Sequence, residues 1–116
     1  MSTRATIRFA TREEGVTFNE HPKKWNAQLY RHHDGYPEGL GIDLAEQAPM
    51  RVEIEHIDTV HGDVEYIYYI WQDHGKEMWI SIFKTNVWEE EDEKCIFVGK
   101  PEKLIEKYKI NTNDDG

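Results

Sequence analysis

The sequence predicts an α+β fold, in which a mostly antiparallel, twisted β-sheet of about five or six strands carries two helices packed on one face. Strand-period alternation recurs along the chain, short turn signals join several strands, and only two segments show helix signals. The chain of 116 residues has 38% apolar residues, which suffices for one core without disulfides. We expect a single domain over 1–110 and a flexible acidic tail over 111–116.

The N-terminal part of the chain predicts two strands and leaves a third open. Segment 5–10 alternates apolar and polar residues in the strand period. After a turn at 13–15, segment 16–18 could return as a short strand. Segment 27–32 is the next strand, and it ends at the turn pair Asp34-Gly35.

Two segments carry helix signals. Pro37 suits the first position of a helix, Glu38 favours its positive dipole end, and Pro49 stops it. The second helix opens at 99–102. The expected inner faces consist of Leu40, Leu44, Ala45 and Ala48 in the first helix and Leu104, Ile105 and Tyr108 in the second.

The C-terminal part predicts four more strands. Segment 51–57 alternates cleanly, which indicates a half-buried strand. Segment 64–71 is apolar on both faces, as is typical of an interior strand. A hairpin turn at 73–76 leads into 78–83, and a short strand follows over 95–98.

The charge is concentrated in two places. The chain has 14 basic and 23 acidic residues, a net charge of −9, and five of the acids form the run 89–93. Two more, Asp114 and Asp115, lie in the tail. A nucleic-acid binder needs an excess of Lys and Arg, so binding to bulk nucleic acid is excluded. We interpret the acidic run as a solvated loop, and imitation of nucleic-acid phosphates remains the alternative.

The composition also limits where the protein can be located and which cysteine or metal chemistry it can carry. No apolar stretch reaches the ~20 residues of a membrane span and no signal peptide follows Met1, so we expect a cytoplasmic protein without membrane contact. The single cysteine, Cys95, excludes an intramolecular disulfide and reads as a small buried hydrophobe. A mixed metal site of His33, Asp34 and His61 lacks a known ligand spacing. We therefore expect no cofactor and no metal.

The densest polar segment, 30–41, joins a strand to a helix. Its candidate partner- or ligand-binding residues are Tyr30, Arg31, His32, His33, Asp34, Tyr36 and Glu38. The start of a helix can bind an anion, but two carboxylates here would repel a phosphate. The spacing fits neither a Walker A loop nor a dinucleotide fingerprint. A purely structural turn and cap is the competing interpretation, with a positive φ expected at Gly35.

Two segments resemble a known family: the opening Met-Ser-Thr-Arg-Ala-Thr-Ile and the segment 30–39, which contains the core Tyr-x-His-x-Asp-Gly-Tyr-Pro. The family consists of small uncharacterised proteins encoded by phages and by bacteria that carry prophages. Weaker similarity at 66–68 and 97–105 brings the coverage to about a third of the chain. The resemblance implies a viral or mobile-element origin, with the host cytoplasm as the location, and it implies no activity.

The residues leave two functions open. The first is a non-enzymatic binding protein that acts through a protein partner or a homo-oligomer, because two short helices leave part of the sheet uncovered. Its surface would include outward-facing members of the aromatic set Tyr66, Tyr68, Tyr69, Trp71 and Trp79. The alternative is a small-ligand or nucleotide-binding protein, which could also be hydrolytic, with its site at the His32-His33-Asp34 corner.

Overall fold

The computed structural model describes residues 3–10, 24–47, 52–62, 64–73, 75–85 and 94–109. Its elements are β1 (Ala5–Ala10), β2 (Trp25–Arg31), a π-helical turn (Pro37–Gly41) that continues into α1 (Ile42–Glu46), β3 (Glu53–Glu55), β4 (Tyr66–Gln72), β5 (Met78–Lys84), β6 (Lys94–Gly99) and α2 (Pro101–Tyr108). The predicted α+β class is confirmed. The predicted turn at 13–15, the strand 16–18, the acidic run 89–93 and the tail 111–116 lie outside the described residues.

The six described strands form one sheet in the order β3-β2-β1-β4-β5-β6. Four neighbouring pairs are antiparallel, and the central pair, β1 with β4, is parallel. The sheet is therefore mostly antiparallel, as predicted, with one parallel seam. Ala5 lies opposite Tyr66 in that seam, and Phe9 lies opposite Ile70.

The helical segments cover one face of the sheet, which we call the helix face. Leu40, Leu44 and Leu104 point from the helical segments onto the strands and are buried there. Their partners in the sheet include Ile7 and Tyr68. Apolar side chains at helical spacing on one side and at alternate strand positions on the other form this part of the core.

The opposite face is lined by aromatic side chains, and we call it the aromatic face. Tyr69, Trp71 and Phe83 are buried on it. The rings of Tyr69 and Phe83 meet edge to face with centroids 5.6 Å apart, while Trp71 stacks on Trp79 at 5.3 Å. In each pair the two rings shield one another from water, because offset and edge-to-face contacts between aromatic rings are energetically favourable.

The prediction that part of the aromatic set faces outward is wrong. Tyr68 is buried on the helix face, and Tyr69 and Trp71 are buried on the aromatic face. Tyr66 and Trp79 are half-buried. The aromatics therefore build both sides of the core and do not form an exposed surface.

The first predicted helix is shorter and differently wound than expected. Pro37 does begin it, but 37–41 is a π turn, in which the Ile42 N–H donates to the Pro37 carbonyl. The α-helical part ends at Glu46, since Gln47 takes a left-handed conformation with φ 56°. Two glycines in the first turn, at 39 and 41, lower the helix propensity there.

Of the strand predicted over 51–57, residue 51 lies outside the described residues, and within 52–57 only Glu53–Glu55 is a strand, which is not half-buried in the expected way. It pairs with β2 at one edge of the described sheet, with Ile54 opposite Leu29. The side chain of Ile54 is 87% exposed.

Among the described residues, no helix is long and apolar enough to cross a membrane.

Burial of Tyr68 predicts a loss of stability at alkaline pH. Its hydroxyl donates to the Gly35 carbonyl at 2.6 Å, and burial raises its pKa well above the usual value. The unfolded chain releases this proton near pH 10 and the folded chain keeps it, so stability is present below about pH 10 and falls as the pH rises above it.

Urea unfolding between about pH 9 and 11, with tyrosinate absorbance, measures this effect. We expect Tyr68→Phe to be less stable than the parent at neutral pH but to lose less stability on alkalinisation. Parallel losses in both proteins would show that Tyr68 does not cause the dependence.

Candidate functional site

The structure divides the corner 30–38 between the two faces of the sheet. Tyr30 and His32 lie on the aromatic face, where their rings meet edge to face with centroids 4.6 Å apart. Arg31 lies on the helix face, where its Nη1 is 3.1 Å from Oδ2 of Asp43. The candidate residues therefore do not converge on one point.

On the helix face, hydrogen bonds within the chain fix the corner. The Arg31 Nε donates to the His33 carbonyl at 2.7 Å, and the Tyr36 hydroxyl donates to Oδ1 of Asp34 at 3.2 Å. The negative charge of Asp34 and this hydrogen bond raise the pKa of Tyr36. The Leu40 N–H donates to the Asp34 carbonyl at 3.0 Å. These contacts describe a scaffold that joins β2 to the helical segment.

Gly35 has a different role from the predicted one. The positive φ expected there is found at Asp34 instead, with φ 56°. Gly35 is required because its backbone approaches β1: a Cβ at this position would lie 2.7 Å from the Ala5 Cβ and 2.9 Å from the Thr3 carbonyl oxygen. The Gly35 N–H donates to that same oxygen.

The corner offers little to an anion. The guanidinium of Arg31 already faces the Asp43 carboxylate, and the exposed carboxylates of Asp34 and Glu38 lie beside the start of the helical turn. A phosphate would meet like charges there. The geometry therefore does not favour the nucleotide site predicted as the alternative at His32-His33-Asp34.

On the aromatic face, a network of polar side chains links β2 to the loop that precedes β4. The Nε2 of His61 lies 2.7 Å from Oε2 of Glu55, and the His61 ring stacks on Tyr30 with centroids 3.8 Å apart. The other Glu55 oxygen accepts a hydrogen bond from Nε2 of Gln28 at 2.8 Å. Glu55 therefore joins the loop at His61 to β2.

The network continues into the sheet through Gln28, whose side chain is fully buried. Gln28 Nε2 also donates to the Thr59 carbonyl at 2.8 Å, and its Oε1 accepts from Nε of Arg8 at 3.1 Å. Arg8 Nη1 in turn donates to the Tyr69 hydroxyl at 2.7 Å, and its guanidinium lies over the ring of Trp25. Polar residues at alternate strand positions usually face water, so the sequence did not indicate that Arg8 and Gln28 belong to a buried network.

The mixed metal site considered for His33, Asp34 and His61 is not assembled among the described residues. Within the described ranges, no three His, Cys, Asp or Glu side chains come together to hold a metal ion, and His61 contacts Glu55. Cys95 is half-buried, and burial raises the pKa of its thiol, which opposes thiolate chemistry.

The edge formed by β3 and the following loop is the most exposed apolar part of the described chain. Ile54 is 87% and Val60 82% exposed, and Ile57 is partly exposed beside them. The Trp25 Nε1 donates to the Ile57 carbonyl at 3.0 Å, which ties this loop to β2. The edge is therefore held in place while its apolar side chains face water.

No protein-family model matches the chain, and no curated protein or solved structure is similar to it. The resemblance of the corner to phage and prophage proteins stays a prediction. The chemistry of the described residues is thus the basis for a functional proposal.

Proposed function

We propose that the protein is a non-enzymatic binding protein, and that its β3 edge receives an extended segment of a protein partner. The observation that carries this proposal is the pair of exposed apolar side chains, Ile54 and Val60, on and beside an edge strand. The resemblance stated above supports a phage or prophage origin, and we place the binding event in the host cytoplasm.

The backbone of β3 suits strand addition. In the described sheet β3 pairs only with β2, so its other side presents backbone N–H and C=O groups to an incoming strand. The hydrogen bonds of Glu55 and Trp25 to their neighbours hold the edge before binding. A preformed edge lowers the entropic cost of association.

Charge defines the chemistry of the partner. The stretch 52–62 contains three acids, Glu53, Glu55 and Asp58, and it has neither Lys nor Arg. The Glu53 side chain is 65% exposed. An extended segment that alternates apolar residues with Lys or Arg would complement both Ile54 and the exposed carboxylate of Glu53.

A second copy of the chain is the less suitable occupant. An antiparallel two-fold pairing centred on Ile54 would place Glu53 directly opposite the partner's Glu55, and like charges in such cross-strand pairs are destabilising. The net charge of −9 adds general repulsion. We therefore favour a cationic partner segment over self-association.

Fluorescence anisotropy with a labelled peptide of alternating Lys and Val tests this proposal. We expect binding to the parent protein and at least a tenfold loss of affinity in Ile54→Lys, because burial of an isoleucine contributes about 1.5–3 kcal/mol. A peptide with proline at its centre should bind far more weakly, since proline cannot continue strand pairing. Gln72→Lys, which adds the same charge at the far end of the sheet, should bind like the parent.

Equal affinity for the two peptides, or unchanged affinity in Ile54→Lys, would contradict the assignment to the β3 edge. Light scattering on the protein alone supplies a second check. If the parent protein is a dimer and the Ile54→Lys variant is a monomer, the β3 edge binds a second copy of the chain and not a segment of another protein.

A further inference from the structure

We propose that the end of the sheet opposite the corner is a small-molecule site for a neutral, planar heteroaromatic compound with an amide-type edge. A cleft of about 420 Å³ opens there. The described residues that line it are Phe9, Ala10, Asn26, Ile70, Trp71, Gln72 and Met78. This site is independent of the β3 edge and of the function proposed for it.

The cleft has a structural origin in the different lengths of the two layers. The longer helix, α2, has eight residues and reaches ~12 Å, whereas a seven-residue strand such as β4 reaches ~23 Å. The helices therefore leave the last part of the helix face uncovered. Phe9, Ile70 and Met78 are only half-buried there.

The position also follows from the parallel seam. Phe9 and Ala10 end β1, and Trp71 and Gln72 end β4, so the carboxyl ends of two adjacent parallel strands meet at the cleft. In open α/β sheets, ligand sites recur in the crevice outside the carboxyl ends of adjacent parallel strands, and this cleft occupies the equivalent place beside the parallel pair. The volume also falls within the ~300–1,000 Å³ of typical ligand pockets.

The lining defines the chemical class of the ligand. Apolar side chains predominate, the two polar ones are the carboxamides of Asn26 and Gln72, and none of the described lining residues is charged. A charged ligand would lose hydration here without a compensating partner. An aromatic ring can contact Phe9 and the thioether of Met78.

Gln72 supplies the hydrogen-bonding edge. Its Nε2 makes one long contact of 3.4 Å with the Lys76 carbonyl, and within the described chain its Oε1 accepts no hydrogen bond. The Trp71 indole N–H is already bonded to the Ser81 hydroxyl at 2.9 Å. A lactam N–H of the ligand would therefore donate to Gln72 Oε1.

Binding of three matched probes to the full chain tests the site: carbostyril (a lactam), quinoline (the same ring system without the amide) and quinaldate (its carboxylate). The readout is the methyl NMR signal of Met78, assigned with Met78→Leu. We expect carbostyril to shift this signal with the highest affinity, quinoline to bind more weakly, and quinaldate not to bind.

Variants at Gln72 separate the hydrogen bond from the cavity. Gln72→Leu should lower the affinity for carbostyril about fivefold to tenfold and leave the affinity for quinoline unchanged, because only the lactam forms a hydrogen bond with the carboxamide. Gln72→Trp should fill the opening and abolish binding of both. Ile54→Lys should bind carbostyril like the parent, so this site is tested separately from the β3 edge.

Three results would overturn the proposal. The Met78 signal could stay unchanged with carbostyril at millimolar concentration, quinaldate could bind as well as carbostyril, or Gln72→Leu could leave the carbostyril affinity unchanged. Thermal unfolding of each variant shows whether its fold is intact before binding is compared.

Discussion

Replacing Gly35 by valine should destabilise the protein by about 3 kcal/mol, because the new Cβ has no room. It would lie 2.7 Å from the Ala5 Cβ and would force the corner away from β1. Overpacking of this kind costs about 1–3 kcal/mol, and loss of the Gly35 N–H bond to the Thr3 carbonyl adds about 1 kcal/mol. Urea unfolding measures the change.

Two companion variants make the reason for this loss testable. Gly62→Ala should change stability by no more than ~0.5 kcal/mol, or stabilise slightly, because a Cβ there meets no atom within 4 Å. Gly35→Asn should be as harmful as Gly35→Ala, since both introduce the same Cβ. A well-tolerated Gly35→Asn would instead favour a left-handed backbone, which asparagine adopts more readily.

The second large effect is expected for Gln28→Leu, at about 3 kcal/mol. Leucine removes the hydrogen bonds that the buried carboxamide makes to Glu55, Thr59 and Arg8. Their polar atoms would then be left without these partners, and each buried unsatisfied group costs about 1–3 kcal/mol. The same network joins the loop before β4 to the sheet, so the loss should include local opening of that loop.

The matched control is Gln72→Leu, which makes the same substitution at an exposed position with one long hydrogen bond. It should change stability by no more than ~0.5 kcal/mol. A double-mutant cycle of Gln28→Leu with Arg8→Met should give a coupling of about 1 kcal/mol or more, because the two side chains share a network. Additive effects, or equal losses in the two Gln→Leu variants, would contradict a role of Gln28 as the centre of the network.

Local signals in the sequence predicted the local structure well. Pro37 and Pro101 each begin a helical segment, as a fixed φ and a missing N–H donor dictate. The turn after β4 was predicted from Asp73-His74-Gly75-Lys76, and β4 and β5 pair antiparallel across it. Such features depend on neighbouring residues, so a single sequence suffices for them.

Features set by distant parts of the chain were not predictable. The requirement for glycine at 35 depends on the backbone of β1, and the burial of Gln28 depends on a loop that returns to it from Thr59. The alternation pattern indicates which residues share a face, but it does not indicate which face another segment will cover. For the candidate corner, alternation along the predicted strand already places Arg31 and His32 on opposite faces. The sequence could not show that Arg31 pairs with Asp43 or that the His32 ring meets Tyr30.

The parallel seam in the middle of the sheet has a consequence for synthesis of the chain. β1 forms an antiparallel pair with β2 early, but its other side waits for β4, which starts at Tyr66. Until β4 has left the ribosome, one edge of the hydrophobic strand β1, which lies at the centre of the described sheet, has no partner. Long-range pairing of this kind slows folding and exposes nascent chains to misassembly. The vulnerable period in the life of this protein is therefore the interval between the emergence of β1 and the emergence of β4.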